Sequence, residues 1–249
     1  MSVALERAAL ALSVPLFLVL WHGLSTSGWV NPILFPSPLV VLTALLRQVQ
    51  SGLLWRDLWA SASRVVIGYS LGATAAIVVG IFTGRNRLIG NLLVPIFQML
   101  RPIPPVALVP IIILWFGLSE GGKWFLVVWG VFFAVWMSAH LGVQRVDPLL
   151  LRAAASLGAR PRSVLLHVVL PAALPTIFVG LRTAIGISFY TLVAAELAGA
   201  FAGVAYRIEL SHQNMQTAEM MSGLVALGLL SAMADKGFGL LARRLVRWT

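Results

Sequence analysis

The sequence contains no cysteine and few charged residues. The absence of cysteine from its 249 residues excludes disulfides, iron–sulfur clusters and thiolate zinc sites. Charged side chains make up only 10% of the chain, whereas a soluble domain usually carries about 25%. Hydrophobic residues make up 59% of the chain, and its mean hydropathy is +0.94. This composition predicts an integral membrane protein.

Acidic residues and histidines are sparse, and no catalytic or metal-binding spacing connects them. The chain has 8 Asp and Glu, 4 His and no H-E-x-x-H sequence. Among the acids, only Glu196 falls within a predicted span, whereas a proton-coupled carrier usually has several intramembrane carboxylates. Inverted repeat halves are not evident either. An enzyme and a secondary transporter are therefore both disfavoured, and no metal site is expected.

One segment has the spacing of a phosphate-binding loop. The stretch from Gly117 to Lys123 fits G-x-x-x-x-G-K, but Trp124 stands where the motif requires Ser or Thr to ligate magnesium. The segment also follows a membrane segment rather than a soluble strand. We interpret it as an extracytoplasmic turn. We expect this chain to bind no nucleotide or other cofactor.

The apolar stretches predict an all-α polytopic protein with about six transmembrane helices. A hydrocarbon core of ~30 Å needs about 20 residues per helix. Cleavage of the first span as a signal peptide is disfavoured, because no small-x-small site follows it. Ser37 and Pro38 begin a further helix that is too short to span and is expected to be interfacial. The predicted spans are 8–24, 65–83, 88–116, 124–141, 174–199 and 221–234.

The third span contains a break. Arg101-Pro102-Ile103-Pro104-Pro105 lies near its middle, and Pro110 follows. Proline removes a helical hydrogen bond and its ring clashes with the preceding turn, so the helix must break or kink there. Broken backbone within a membrane is tolerated where protein or a water-filled cavity surrounds it.

The distribution of cations predicts the orientation. Net charge is +10, which in a soluble protein would suggest nucleic-acid binding, but the arginines here lie at segment ends. Six spans place both termini on one side, and that side carries the larger group of cations, so it should be cytoplasmic. The larger group is Arg7, Arg85, Arg87, Arg145, Arg152, Arg160, Arg162, Lys236, Arg243, Arg244 and Arg247. The smaller group is Arg47, Arg56, Arg64, Lys123 and Arg207, while Arg101 and Arg182 fall in spans.

A polar segment at about 142–174 interrupts the apolar stretches and should lie on the same cytoplasmic side. Asp147 can cap a helix that begins at Pro148, and Gly158 fits the position just past its end. Pro161 can begin a second short helix, and Pro171 and Pro175 then bracket the start of the fifth span. We therefore predict a short helix-turn-helix between the fourth and fifth spans.

This segment resembles the EAA loop of ABC importer permeases. The matching residues are Arg152, Ala153, Ala154, Ala155, Ser156, Leu157, Gly158 and Ala159, followed by Val169-Leu170-Pro171. Arg152 departs from the pattern, because the family usually has Glu there. The R-P-I-P-P sequence at Arg101, the W-F-G that ends at Gly117 and the L-V-A-A-E sequence that ends at Glu196 resemble the taurine, aliphatic sulfonate and nitrate branch.

The resemblance covers nearly the whole chain and implies a type I ABC importer permease (MetI-like) fold in one transmembrane domain over 1–249. It implies a second permease copy, two cytoplasmic ABC ATPase subunits that bind ATP and Mg²⁺, and a periplasmic or lipid-anchored binding protein. The location would be the bacterial inner membrane. The EAA-like residues would couple the spans to the ATPase, with Leu157 as an apolar anchor and with Ala153, Ala154 and Gly158 allowing close approach.

Polar residues of the fifth span and its neighbourhood are candidates for the translocation path. They are Arg101, Ser188, Tyr190, Thr191 and Glu196. The alternatives are helix packing for the fifth-span residues and, for Arg101, pairing with backbone carbonyls or Glu196. Arg182 is expected to snorkel to the cytoplasmic interface.

The expected function is import of a small organic or inorganic anion, such as taurine, a sulfonate or nitrate. The alternatives are an ABC importer of a vitamin precursor or aromatic acid, and a standalone channel or secondary carrier. In the family that the chain resembles, selectivity rests largely with the binding protein, so the permease sequence does not identify the substrate.

Overall fold

The computed structural model describes the backbone of residues 3–245 and the side chains of residues 12–242 and 244. Within that part of the chain the regular structure is helical. The helices are α1 (Val3–Thr26), α2 (Pro38–Gln50), α3 (Leu53–Arg85), α4 (Arg87–Leu100), α5 (Val109–Phe116), α6 (Glu120–Gln144), α7 (Pro148–Ser156), α8 (Pro161–Val164), α9 (Leu170–Leu197), α10 (Val204–Gln213) and α11 (Thr217–Leu245). The side chains of Arg7 and Arg243, and all of Arg247, lie outside the described residues.

Local capping explains where several helices begin. Asn86 begins α4, because its side-chain oxygen accepts hydrogen bonds from the backbone N–H groups of Leu88 (2.9 Å) and Ile89 (3.3 Å). Pro38 occupies the first turn of α2, where its missing N–H costs nothing. The predicted short helix after Ser37 is therefore confirmed, at 13 residues.

Among the described residues, four helical stretches are long and apolar enough to cross a membrane. They are Leu53–Arg85, Glu120–Gln144, Pro161–Leu197 and Thr217–Ala242. A fifth exists if α4 and the segment Pro105–Phe116 form one broken span. The first predicted span lies within α1, whose side chains are described only from residue 12, so a total of six stays a prediction.

The predicted break in the third span is confirmed. Helix α4 ends at Leu100, a 3₁₀ turn follows over Pro105–Leu108, and α5 continues from there. The two halves are bent by 88°. Pro102, Pro104 and Pro105 supply no N–H groups, so the α-helical hydrogen-bond ladder cannot continue through them.

Residue contacts group the chain into two compact units. The first comprises 1–59 and 202–228, and the second comprises 60–201 and 229–249. In the first unit, Leu54, Val204 and Ala226 form a buried cluster. The buried carboxylate of Asp57 accepts hydrogen bonds from the Arg207 side chain (2.6 Å) and from the backbone N–H of Gly203 (3.1 Å).

The core of the second unit lies where α6 packs against α9. Trp136, Val127, Val131 and Ala184 are fully buried there. Glycines allow the close approach, since a Cβ atom on Gly180 would lie 2.3 Å from the Cβ atom of Ser138. The two helices are antiparallel: Gly142 packs on Ala173 near one end, and Glu120 and Glu196 lie at the other.

Three predicted boundaries are wrong. Helix α3 begins at Leu53, whereas the second span was predicted to begin at Val65. Helix α6 begins at Glu120, whereas a turn was predicted to continue to Lys123. The helix that carries the fifth span begins at Pro161 rather than Leu174. Pro171 and Pro175 both lie inside that helix, and a π turn over Leu165–Val169 widens the backbone just before Pro171.

Candidate functional site

The segment between α6 and α9 has a helix with a cap at each end. The Asp147 carboxylate accepts a hydrogen bond from the backbone N–H of Leu149 at 2.8 Å. At the other end Gly158 has φ +70°, and the N–H of Ala159 donates to the carbonyl of Ala154. The N–H of Gly158 donates to Ala155, which completes a Schellman motif. The predicted helix from Pro148 is therefore confirmed.

The predicted coupling residues divide between two faces of α7 and its end. Ala154 is buried against the chain's own apolar side chains, among them Val164 and Val169. Leu157 is 86% exposed. The other predicted residues, Arg152, Ala153, Ser156, Gly158 and Ala159, are also exposed. The exposed surface of this segment therefore includes an apolar side chain, Leu157, and a cation, Arg152.

A cavity of about 460 Å³ lies between the break in the third span, α6 and α9. It brings together three of the predicted path residues, Arg101, Tyr190 and Thr191. The full lining is Arg101, Ile103, Pro105, Trp129, Gly130, Phe133, Ala134, Met137, Ser138, Thr183, Ile187, Tyr190 and Thr191. Tyr190 is 66% exposed in the single chain.

Two predicted path residues do not line this cavity. The Ser188 side chain is buried, and its hydroxyl donates to the carbonyl of Ile185 at 2.6 Å. Glu196 is also buried, near the end of α9. Its carboxylate accepts hydrogen bonds from Arg64 (2.9 Å) and from the Ser61 hydroxyl (2.6 Å).

Glu196 belongs to a network of alternating charges at the α6 end that is opposite to α7. Arg64 donates to Glu196 and also binds Glu120 through two hydrogen bonds of 2.7 Å. Lys123 donates to Glu120 at 2.9 Å and to the Leu118 carbonyl at 3.2 Å. We call Arg64, Glu120, Lys123 and Glu196 the charge network. It holds α3, α6 and α9 together.

The sequence prediction missed this network. It placed Arg64 before the second span and Lys123 in a turn, but both are buried within helices. Two features of the sequence indicate such a pairing. A carboxylate inside a span, such as Glu196, needs a cationic partner, and Arg64 directly precedes an apolar segment. Arg182 also has a carboxylate partner, since its guanidinium donates to Asp235 at 2.9 and 3.0 Å.

No metal centre is indicated in the part of the chain that the structure describes. Within those residues, no three His, Asp or Glu side chains come close enough to hold a metal ion.

Comparisons with known proteins identify the class of protein. Residues 76–249 match the family described as binding-protein-dependent transport system inner membrane component. The chain belongs to this family. It is therefore a multi-pass membrane protein and a permease subunit of an ABC importer.

Two relatives come from one bacterium. The taurine transport system permease protein TauC of Escherichia coli K12 is 34% identical over 241 residues, which cover 95% of this chain and 88% of TauC. The putative aliphatic sulfonates transport permease protein SsuC of the same strain is 36% identical over 228 residues, which cover 92% of this chain and 87% of SsuC.

A solved structure supports the fold. The inward-facing methionine ABC transporter MetNI superposes with a TM-score of 0.65 at 20% sequence identity. The match covers 80% of this chain and 97% of that chain. The predicted type I importer permease fold is therefore confirmed. Membership of the family implies that an ATPase and a substrate-binding protein work with this chain.

Proposed function

We propose that this permease carries a small organic anion with a sulfonate group, such as taurine, across the bacterial inner membrane. The observation that carries the proposal is the identity of 34% to a taurine permease over 95% of the chain. The cavity at Arg101 supports it, because a cation there would attract an anion. ATP and Mg²⁺ would bind only to a separate ATPase subunit.

The proposed docking surface for the ATPase is α7 with the residues that follow it. Leu157 would enter an apolar groove, and Arg152 would contact the rim of that groove. Gly158 ends the helix in a left-handed conformation that most residues adopt only with strain. The shape of this surface, rather than contacts of Ala154, would transmit ATP-driven movement, since Ala154 packs inward.

Two copies of the chain would form the complete path. Thr183, Gly186 and Tyr190 share an exposed face of α9, within a helix that is long enough to span the membrane. Hydroxyl groups are poorly solvated by lipid, and small residues let helices approach closely. A second permease copy would cover this face and close the cavity into a path. Both termini and α7 would be cytoplasmic, because the larger group of cations lies on that side.

The test is reconstitution of the permease with its ATPase and binding protein in liposomes. We expect liganded binding protein to stimulate ATP hydrolysis, and taurine or ethanesulfonate to accumulate inside. Stimulated hydrolysis without sulfonate uptake would refute the proposed substrate class. Failure of any ATPase to associate would refute the proposed assembly.

The coupling role of α7 makes a sharper prediction. Gly158→Leu should reduce transport and stimulated hydrolysis at least tenfold. A leucine with positive φ is strained by about 1–3 kcal/mol, so the variant should adopt another backbone geometry at the end of the helix. Gly158→Asn is the matched control, since asparagine tolerates this conformation. Both variants should remain inserted, as a Cβ atom at this position meets no other atom within 4 Å. Normal transport by Gly158→Leu would show that coupling does not depend on this turn.

A further inference from the structure

Among the described residues, Arg101 differs from Arg64, Lys123 and Arg182 in having no counter-ion. Arg64, Lys123 and Arg182 each form an ion pair with a carboxylate. Within the part of the chain that the structure describes, the Arg101 guanidinium has no hydrogen-bond or ion-pair partner. It is exposed in the single chain, at the break between α4 and Pro105. An unpaired cation within a membrane-spanning segment is costly, and such residues often mark the path of a substrate or ion.

The surroundings of Arg101 are suited to a transient anion. No carboxylate is among the described residues that line its cavity. Trp129, Phe133 and Tyr190 supply aromatic walls that lower the local dielectric constant around the guanidinium. Because electrostatic attraction strengthens as the local dielectric falls, an anion would be attracted more strongly here than in bulk water. The carbonyl end of α4 carries a partial negative charge, which favours the cation but does not replace a counter-ion.

A second cavity adjoins the first along α9. It has a volume of about 370 Å³ and is mostly apolar. Its lining includes Val106, Pro110, Val193 and Leu197. Tyr190 lines both the apolar cavity and the cavity that contains Arg101.

We propose that the cavity at Arg101 is an anion chamber on the translocation path, and that Tyr190 separates it from the apolar cavity. The ligand class is a small sulfonate, whose oxygens match the fork of N–H donors of a guanidinium. A single cation attracts such an anion without holding it, which a transport path requires. This inference deepens the proposed function and rests on it for the identity of the anion.

Charge-selective labelling tests the chamber without any transported substrate. The chain has no cysteine, so Ile103→Cys places a single thiol in the cavity, two residues from Arg101. The probes are the anionic sulfonatoethyl and the cationic trimethylammonium-ethyl methanethiosulfonates. They are applied to the permease–ATPase complex in liposomes, with and without ATP.

For each cysteine variant, the measured quantity is the ratio of the reaction rate of the anionic reagent to that of the cationic reagent. We expect this ratio to be about tenfold higher at Ile103→Cys than at Ser119→Cys, an exposed position outside the cavity. Arg101→Gln should abolish that preference, and Arg101→Lys should keep most of it. A preference that Arg101→Gln leaves unchanged would overturn the proposal. Absence of reaction with either reagent in every nucleotide state would also overturn it, because a chamber on the path must open to water.

Uptake assays separate failure of the chamber from failure of the proposed substrate. Arg101→Gln should reduce sulfonate uptake at least tenfold, while Arg87→Gln, which removes a cation at the other end of α4, should not. If wild-type protein imports a sulfonate and Arg101→Gln does so equally well, the chamber is wrong. If the labelling preference holds but wild-type protein imports no sulfonate, the substrate class is wrong and the anion chamber stands.

Tyr190 is tested in the same assay. Tyr190→Phe keeps the ring and should retain uptake, whereas Tyr190→Ala should let the binding-protein-independent leak of sulfonate rise at least tenfold. An unchanged leak in Tyr190→Ala would remove Tyr190 from its separating role.

Discussion

Arg64 and Arg101 show two ways in which one membrane protein uses an arginine. Arg64 is buried and binds two carboxylates, Glu120 and Glu196. Arg101 faces a cavity and binds no carboxylate among the residues that the structure describes. The charge network contains two cations and two carboxylates, so its charges balance within the chain. The described residues that line the cavity include Arg101 and no carboxylate, so this lining carries an excess positive charge.

The two regions also differ in what surrounds them. The charge network joins three helices, and its shared hydrogen bonds fix their relative positions. The cavity lies where a helix is broken, and backbone irregularity in a membrane is tolerated beside a water-filled space. We therefore infer that the paired Arg64 stabilises the fold, whereas the unpaired Arg101 serves the proposed attraction of an anion.

The largest expected effect comes from breaking the charge network. Arg64→Met would leave Glu196 buried and without its cationic partner. Removal of one member of a buried pair typically costs about 3–5 kcal/mol, so we expect a lower unfolding midpoint and a loss of monodisperse protein in detergent. Fluorescence-detected size exclusion during a thermal ramp measures both.

The double variant Arg64→Met with Glu196→Met is the control for this prediction. Replacing both buried charges with apolar side chains removes the desolvation penalty, so stability should recover in part. Lys123 would still neutralise Glu120 in that variant. A single variant as stable as wild-type protein would mean that the network does not hold the three helices together.

A smaller effect is expected from the packing that forms one wall of the cavity. Gly180→Ala would place a Cβ atom 2.4 Å from the Ser138 hydroxyl oxygen, forcing α6 and α9 apart. Overpacking of this kind costs about 1–3 kcal/mol, which the same thermal ramp would detect. Ser138→Gly should restore the stability of Gly180→Ala. Gly237→Ala on α11 is the matched control, since its Cβ atom would meet nothing within 4 Å. Equal midpoints for Gly180→Ala and Gly237→Ala would contradict the close approach.

Local signals made the segment around α7 predictable from sequence. Asp147, Pro148 and Gly158 each act on their own backbone or on neighbours a few residues away, so their effect can be inferred without the fold. The same holds for the prolines after Arg101, which end a helix wherever they occur. The predicted short helix and the predicted break were therefore both confirmed.

The charge network could not be predicted in the same way, because its bonds connect distant parts of the sequence. Arg64 and Glu196 are separated by 132 positions, and no local pattern at either residue identifies the other. The second span was predicted to begin at Val65, directly after Arg64, whereas Arg64 lies inside α3. The predicted start of the fifth span at Leu174 was wrong because the π turn before Pro171 allows the helix to continue through that residue.

The same reasoning applies to the cavity. Arg101, Tyr190 and Thr191 could be named from sequence as polar residues in apolar segments, but only the fold shows that they share one space. Ser188 and Glu196 satisfied the same criterion and lie elsewhere. Polarity within a span therefore selects candidates, and the packing of the helices decides which of them line the cavity.

The smallest expected effect concerns the ion pair between Arg182 and Asp235, which sharpens the comparison because it is paired but not buried. Their side chains are 60% and 42% exposed. Exposed pairs contribute little, because solvent screens them and ordering two side chains costs entropy. Arg182→Gln should therefore lower the unfolding midpoint less than Arg64→Met or Gly180→Ala, and Arg182→Lys should match wild-type protein. A fall as large as that of Arg64→Met would mean that a partner encloses this pair, and burial rather than pairing would then separate the two uses of arginine.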